Sequence, residues 1–157
     1  MKTLQIEENE ARKLYKNSSS EFKTVLENTF GKDFFSGKIT DRIKTYEDAC
    51  EELQEKPLNE KELRNLGFSN DEIDYKKIKT ITRALNEEFV ADFTNHDQKK
   101  WYPWFKVSSS GVFACHAANY GYSNAIAGYG ARLCFSSDEL ATYAGKQFTE
   151  LYKSFIL

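Results

Sequence analysis

The feature that most limits how this chain can fold is a break in its charge. From Val107 to Ala131 there is no Asp, Glu, Lys or Arg. Residues 1–100 carry 18 basic and 21 acidic side chains, and residues 101–157 carry only 4 and 3. The first part is rich in the helix formers Glu, Lys and Leu, the later part in Tyr, Ser, Gly, Ala and Asn. A change of secondary-structure type near residue 100 follows, from amphipathic helices to half-buried strands.

The N-terminal part reads as short, well-punctuated helices. Ser18-Ser19-Ser20-Glu21 fits a capping box. Behind it Phe22, Val25, Leu26 and Phe30 fall on one helical face, with Gly31 as the terminator. Ala11, Leu14 and Tyr15 mark a shorter amphipathic helix before it. Thr45 precedes a helix with Tyr46, Ala49, Cys50 and Leu53 inward, ended by Pro57. Asn59 opens a turn of helix holding Leu63 and Leu66, closed by Gly67.

Two later helix starts share one grammar. Phe68-Ser69-Asn70-Asp71-Glu72-Ile73 and Phe135-Ser136-Ser137-Asp138-Glu139-Leu140 each offer an N-cap serine, an N3 glutamate and a hydrophobic staple. The first predicts a helix to about Phe89 with Ile78, Ile81, Leu85 and Phe89 inward. The second predicts a helix nearly to the C-terminus on a stripe of Leu140, Ala144, Phe148, Leu151 and Phe155. Gly145 stands in its middle at a cost of about 0.5–1 kcal/mol relative to Ala, which a close-passing neighbour would explain.

Between these helices Trp104–Val107, Gly111–Cys115 and Ala131–Phe135 are β-prone, with Ser108–Gly111 as a turn. The expected fold is α+β: N-terminal helices, a small antiparallel sheet of about three strands, and a long C-terminal helix packed on it. A single domain over 1–157 is expected, with 1–100 mainly helical, 101–135 the hairpin region and 136–157 the C-terminal helix.

Hydrophobic residues make up 40% of the chain and aromatic ones 15%, enough for a core and against global disorder. No apolar run approaches the ~20 residues that span a bilayer, and the N-terminus turns acidic before any signal-peptide core could form. The expectation is a cytoplasmic protein without a membrane role. A net charge of −2 gives no global nucleic-acid footprint. Three cysteines, Cys50, Cys115 and Cys134, with no CxxC pair, suit small buried hydrophobes in a reducing compartment.

Two segments carry a resemblance. One is Ala84-Leu85-Asn86-Glu87-Glu88, continuing through Asn95–Phe105 with its Lys99-Lys100-Trp101-Tyr102-Pro103-Trp104-Phe105. The other is Arg132-Leu133-Cys134-Phe135 with Glu139–Phe148 and Tyr152-Lys153. Together with Phe30-Gly31-Lys32 and Thr45–Cys50, they make the chain resemble a family of small uncharacterised proteins of gut Bacteroidetes and their phages or mobile elements. The resemblance implies a phage-related setting. It implies no activity and no catalytic residue.

No catalytic constellation stands out. Cys115 and His116 are adjacent, and neighbours on a strand point to opposite faces. Asp92 and His96 lack the further ligands that a zinc site needs, and Gly128-Tyr129-Gly130 is too short for a phosphate loop. The expectation is therefore a non-enzymatic protein with no cofactor and no metal. The charge-free stretch combines tyrosines with Ser, Asn and Gly, the mixture of rigid amphipathic area and adaptable hydrogen bonding found in recognition loops. It points to a protein partner or self-association through Trp101, Tyr102, Trp104, Tyr120, Tyr122 and Tyr129. The alternative is nucleic-acid binding, either by the basic helix residues Lys76, Lys77, Lys79 and Arg83 in a helix-turn-helix outline, or by stacking on Trp101 and Trp104.

Overall fold

The computed structural model describes residues 6–123 and 132–157. The chain divides after residue 42 into two compact units, 1–42 and 43–157, where the sequence suggests one domain.

The first unit contains α1 (Glu8–Lys16), α2 (Ser20–Phe30), α3 (Lys32–Ser36) and α4 (Ile39–Arg42). Tyr15 and Phe35 stack with centroids 4.2 Å apart, and Phe30 and Phe34 complete the ring cluster. The Arg12 guanidinium lies over the Phe34 ring and donates to the Phe34 carbonyl. The cap of α2 is Ser19, one residue later than the capping-box reading, because the Ser18 hydroxyl donates to the Leu14 carbonyl. Of the predicted inward stripe only Leu26 is buried; Phe22, Val25 and Phe30 are exposed. So small a unit has too little interior to bury a whole helix face.

The second unit is built around α7 (Asn70–Asn86), which buries Ile73, Ile78, Ile81 and Leu85. It packs against α5 (Tyr46–Glu52), α6 (Glu60–Asn65), α8 (Asp138–Gln147) and α9 (Thr149–Ile156). Local capping sets the starts. Thr45 and Asp48 form a reciprocal box at α5, and the Glu72 carboxylate accepts from the Ser69 amide and hydroxyl at α7. At α8 the cap is Ser137, which accepts from the Leu140 amide, so Glu139 is not at N3. The Ser136 amide is engaged elsewhere, by Asn86 Oδ1 at 3.0 Å. Leu66 caps α6 from an exposed position, and α7 stops at Asn86, short of Phe89.

The sheet has two strands among the described residues, β1 (Lys100–Val107) and β2 (Phe113–Gly121), paired antiparallel. The third strand expected at 131–135 is reduced to one bridge: Trp101 and Phe135 exchange both backbone hydrogen bonds, at 2.9 and 2.6 Å. The carbonyl of Cys134, which points away from β1, accepts from Asn86 Nδ2 at 2.7 Å, so the end of α7 satisfies the outer side of this segment. In compensation β2 runs on to Gly121, through residues whose composition suggests loop.

The C-terminal helix packs on the hairpin but is broken at Phe148 into α8 and α9. Thr149 Oγ1 donates to the carbonyls of Gly145 and Lys146 at 2.7 and 3.0 Å, competing with the backbone ladder at the break. Gly145 answers the close-approach expectation. A Cβ there would lie 2.5 Å from Cys115 Sγ and 2.7 Å from Pro103 Cβ. The hairpin and α8 thus touch backbone to side chain, and the sheet gains the backing that two strands need in water.

Candidate functional site

The hairpin positions its rings by alternation. Trp101, Pro103 and Phe105 share one face with their partners Tyr120, Ala118 and Cys115. An irregularity between Trp104 and Phe105 leaves His116 without a partner in the register, a bulge that keeps Cys115 opposite Phe105. This face turns Pro103 and Cys115 to α8, and the Phe105 ring lies against Phe113 and Tyr152. At its other end Trp101 is half-buried and packs on Tyr120 with centroids 4.7 Å apart. Tyr120 in turn meets Tyr122 edge to face at 5.5 Å. The Lys99 ammonium sits 4.5 Å from the Tyr120 centroid and 5.7 Å from that of Trp101.

The predicted contact residues therefore fall into three groups. Trp101, Tyr120 and Tyr122 form one ring cluster, with Tyr120 38% and Tyr122 42% exposed. Trp104 is 46% exposed but stands on the opposite face of the strand from Trp101. Tyr102 is buried and leaves the contact surface. Tyr129 lies outside the described residues. Because Trp101 and Trp104 point to opposite faces, they do not form the shared stacking platform expected of them. Lys100, next to Trp101 in the strand, is not an exposed cation. It is buried, its ammonium donating to the carbonyls of Asn95 and Gln98 at 3.0 and 2.9 Å.

The basic helix is also rearranged. Helix, Gly67 turn and helix are present, with Gly67 at φ +91°, but α7 is the packing centre of its unit rather than a helix free to enter a groove. Lys77 is committed to Glu60 and Asp74, and its pull holds the Glu60 carboxyl below the ordinary range. Lys76, Lys79 and Arg83 instead line a cavity of about 620 Å³ together with Arg132. Arg132 and Glu55 are members that the sequence reading missed. No spacing pattern connects Arg132 to α7; the Asn86 hydrogen bonds to Cys134 and Ser136 bring its segment there.

Cys134 is buried and Cys115 half-buried, and burial is the main cause pushing both thiols up. The Asp92 carboxylate accepts from the Thr94 hydroxyl and amide, which lowers its pKa and ties it into a local turn. Among the described residues no three His, Cys, Asp or Glu side chains gather as a metal site, and no helix is long and apolar enough to cross a membrane. Comparison with protein-family models, curated proteins and solved structures finds no match.

Proposed function

We propose that the protein is a non-enzymatic, cytoplasmic accessory protein, of the kind phages and mobile elements encode, that works by protein contact through its hairpin. The observation that carries this reading is the Trp101–Tyr120–Tyr122 ring cluster, left partly in water on a hairpin that α8 holds rigid. Trp101 and Tyr120, held by the paired ladder, lose little entropy on docking. Their faces also cost little to desolvate: among the described residues the charge placed over them is that of Lys99.

The test compares wild type with a Tyr120→Ser/Tyr122→Ser double variant. Solution mass is measured over a concentration series, and lysate partners are quantified with a photocrosslinking residue at Lys99 in both proteins, exposed beside the Tyr120 ring. A self-association or partner set that weakens at least tenfold in the double variant supports the reading. A wild type that stays monomeric and captures the same proteins as the variant rejects it.

A further inference from the structure

The cavity beside α7 gathers like charges in a way that packing does not require. Lys76, Lys79 and Arg83 follow one another at helical spacing, and Arg132 joins them from the segment before α8. Like charges three and four residues apart on a helix repel. The one carboxylate among the described lining residues is Glu55, and it is ion-paired to Arg83. Among the described lining residues no carboxylate is left for Lys76, Lys79 and Arg132, and the Lys76 and Lys79 ammonium groups lie near the Phe68 and Tyr75 rings. The Lys79 ammonium carries the mark of this field: burial first, then Arg132, Lys76 and Arg83, depress its pKa. A concave wall of one charge sign concentrates potential and attracts the opposite charge.

The rest of the lining narrows the ligand. Leu58, Phe89 and Val90 give an apolar side, and Thr80 and Asn86 supply neutral polar groups. A volume of about 620 Å³ falls among small-molecule pockets, commonly about 300–1,000 Å³. It admits neither a duplex nor a folded partner. Three uncompensated cations match the charge of a di- or triphosphate better than that of a single carboxylate. We propose that this cavity is a binding site for a nucleoside polyphosphate, with the phosphates on Lys76, Lys79 and Arg132 and the nucleoside against Leu58, Phe89 and Val90. The site is separate from the hairpin rings and does not depend on the protein-contact reading.

Calorimetric titration of the full chain with ATP, ADP, pyrophosphate, adenosine and a single-stranded oligonucleotide of about 20 nucleotides tests it. ATP and ADP bind one to one, pyrophosphate binds more weakly and adenosine does not bind. Affinity falls as salt rises. Lys79→Ala and Arg132→Ala each weaken ATP binding about tenfold or more, and Glu55→Gln, which releases Arg83, tightens it. Lys77→Ala leaves it unchanged. A second measurement needs no variant: ATP shields Lys76 and Lys79, but not Lys99, from acetylation read by mass spectrometry. Absence of binding by ATP and ADP overturns the proposal. So does binding by the oligonucleotide alone, or ATP binding that survives both cavity substitutions within twofold.

Discussion

Replacing Gly145 with alanine sets two physical effects against each other, and the fold decides which wins. In an isolated helix the change is favourable by about 1 kcal/mol, because glycine is the more costly residue in a helix interior. In this fold the new methyl would stand 2.5 Å from Cys115 Sγ, 2.7 Å from Pro103 Cβ and 3.1 Å from Cys115 Cβ. Carbon atoms in contact prefer about 3.5–4.0 Å. The sulfur can swing away, but Pro103 is a ring on a paired strand and cannot. Such overpacking costs about 1–3 kcal/mol. Less the propensity gain, the variant should be destabilised by up to about 2 kcal/mol. Urea unfolding followed by tryptophan fluorescence is the assay, because both tryptophans, Trp101 and Trp104, lie in β1 and report on the backed hairpin. Cys115→Ala in the same chain removes the sulfur contact but not the Pro103 contact. The double variant should therefore recover only part of the loss, with a coupling of about 0.5–1 kcal/mol. A Gly145→Ala protein more stable than wild type by about 1 kcal/mol, the full propensity gain, refutes the packing of α8 on the hairpin.

Two further substitutions probe backbone strain and ionisation. Glu87 has φ 51° and ψ −105° in a turn closed by the Phe89 amide on the Asn86 carbonyl, a geometry that favours glycine. Glu87→Gly should stabilise by about 1 kcal/mol in the same urea assay, as relief of strain exceeds the added chain entropy; an unchanged or lower midpoint counts against the strained turn. Burial, then Cys50, pushes Tyr46 from 10.0 up to about 12. Its raised folded-state pKa means that the stabilisation is complete below pH 10 and is lost as pH climbs through about 12. Stability measured from pH 9 to 12 should fall across that window, and Tyr46→Phe should flatten the fall; an identical slope in the variant excludes Tyr46 as its source.

What the sequence makes legible is what short-range chemistry decides. Thr45 with Asp48 and Ser69 with Glu72 cap their helices through side chains three residues apart, so their starts can be read from a few letters. Gly145 could be read as a close approach, because a mid-helix glycine is costly without one. Ser136 could not be read: it has the spacing of an N-cap, but Asn86, fifty residues away, holds its amide, and the cap passes to Ser137. The same asparagine takes the Cys134 carbonyl, beside the single Trp101–Phe135 bridge that stands in place of a third strand. Asn119, Tyr120 and Gly121 have loop composition yet remain in the ladder, where Tyr120 packs across the strand on Trp101. For the candidate sites the same division holds. Exposure of Tyr120 and Tyr122 follows from composition, whereas the opposed faces of Trp101 and Trp104 depend on where the strand begins.

The segment from Arg132 to Ser136 links the two surfaces. Its Phe135 backbone pairs with Trp101, fixing the strand that carries the ring cluster. Its Cys134 carbonyl and Ser136 amide are gripped by Asn86 at the end of α7, and Arg132 closes the basic cavity. Leu133, Cys134 and Phe135 are all buried, so these attachments sit on a part of the chain that is firmly packed. A short, buried, irregular stretch with hydrogen bonds to a strand on one side and to a helix end on the other holds both surfaces without belonging to either. Phe135 turns its amide and carbonyl to Trp101, so the alternation of an antiparallel strand turns the Cys134 carbonyl and the Ser136 amide the other way, to Asn86, and the two sets of hydrogen bonds do not compete.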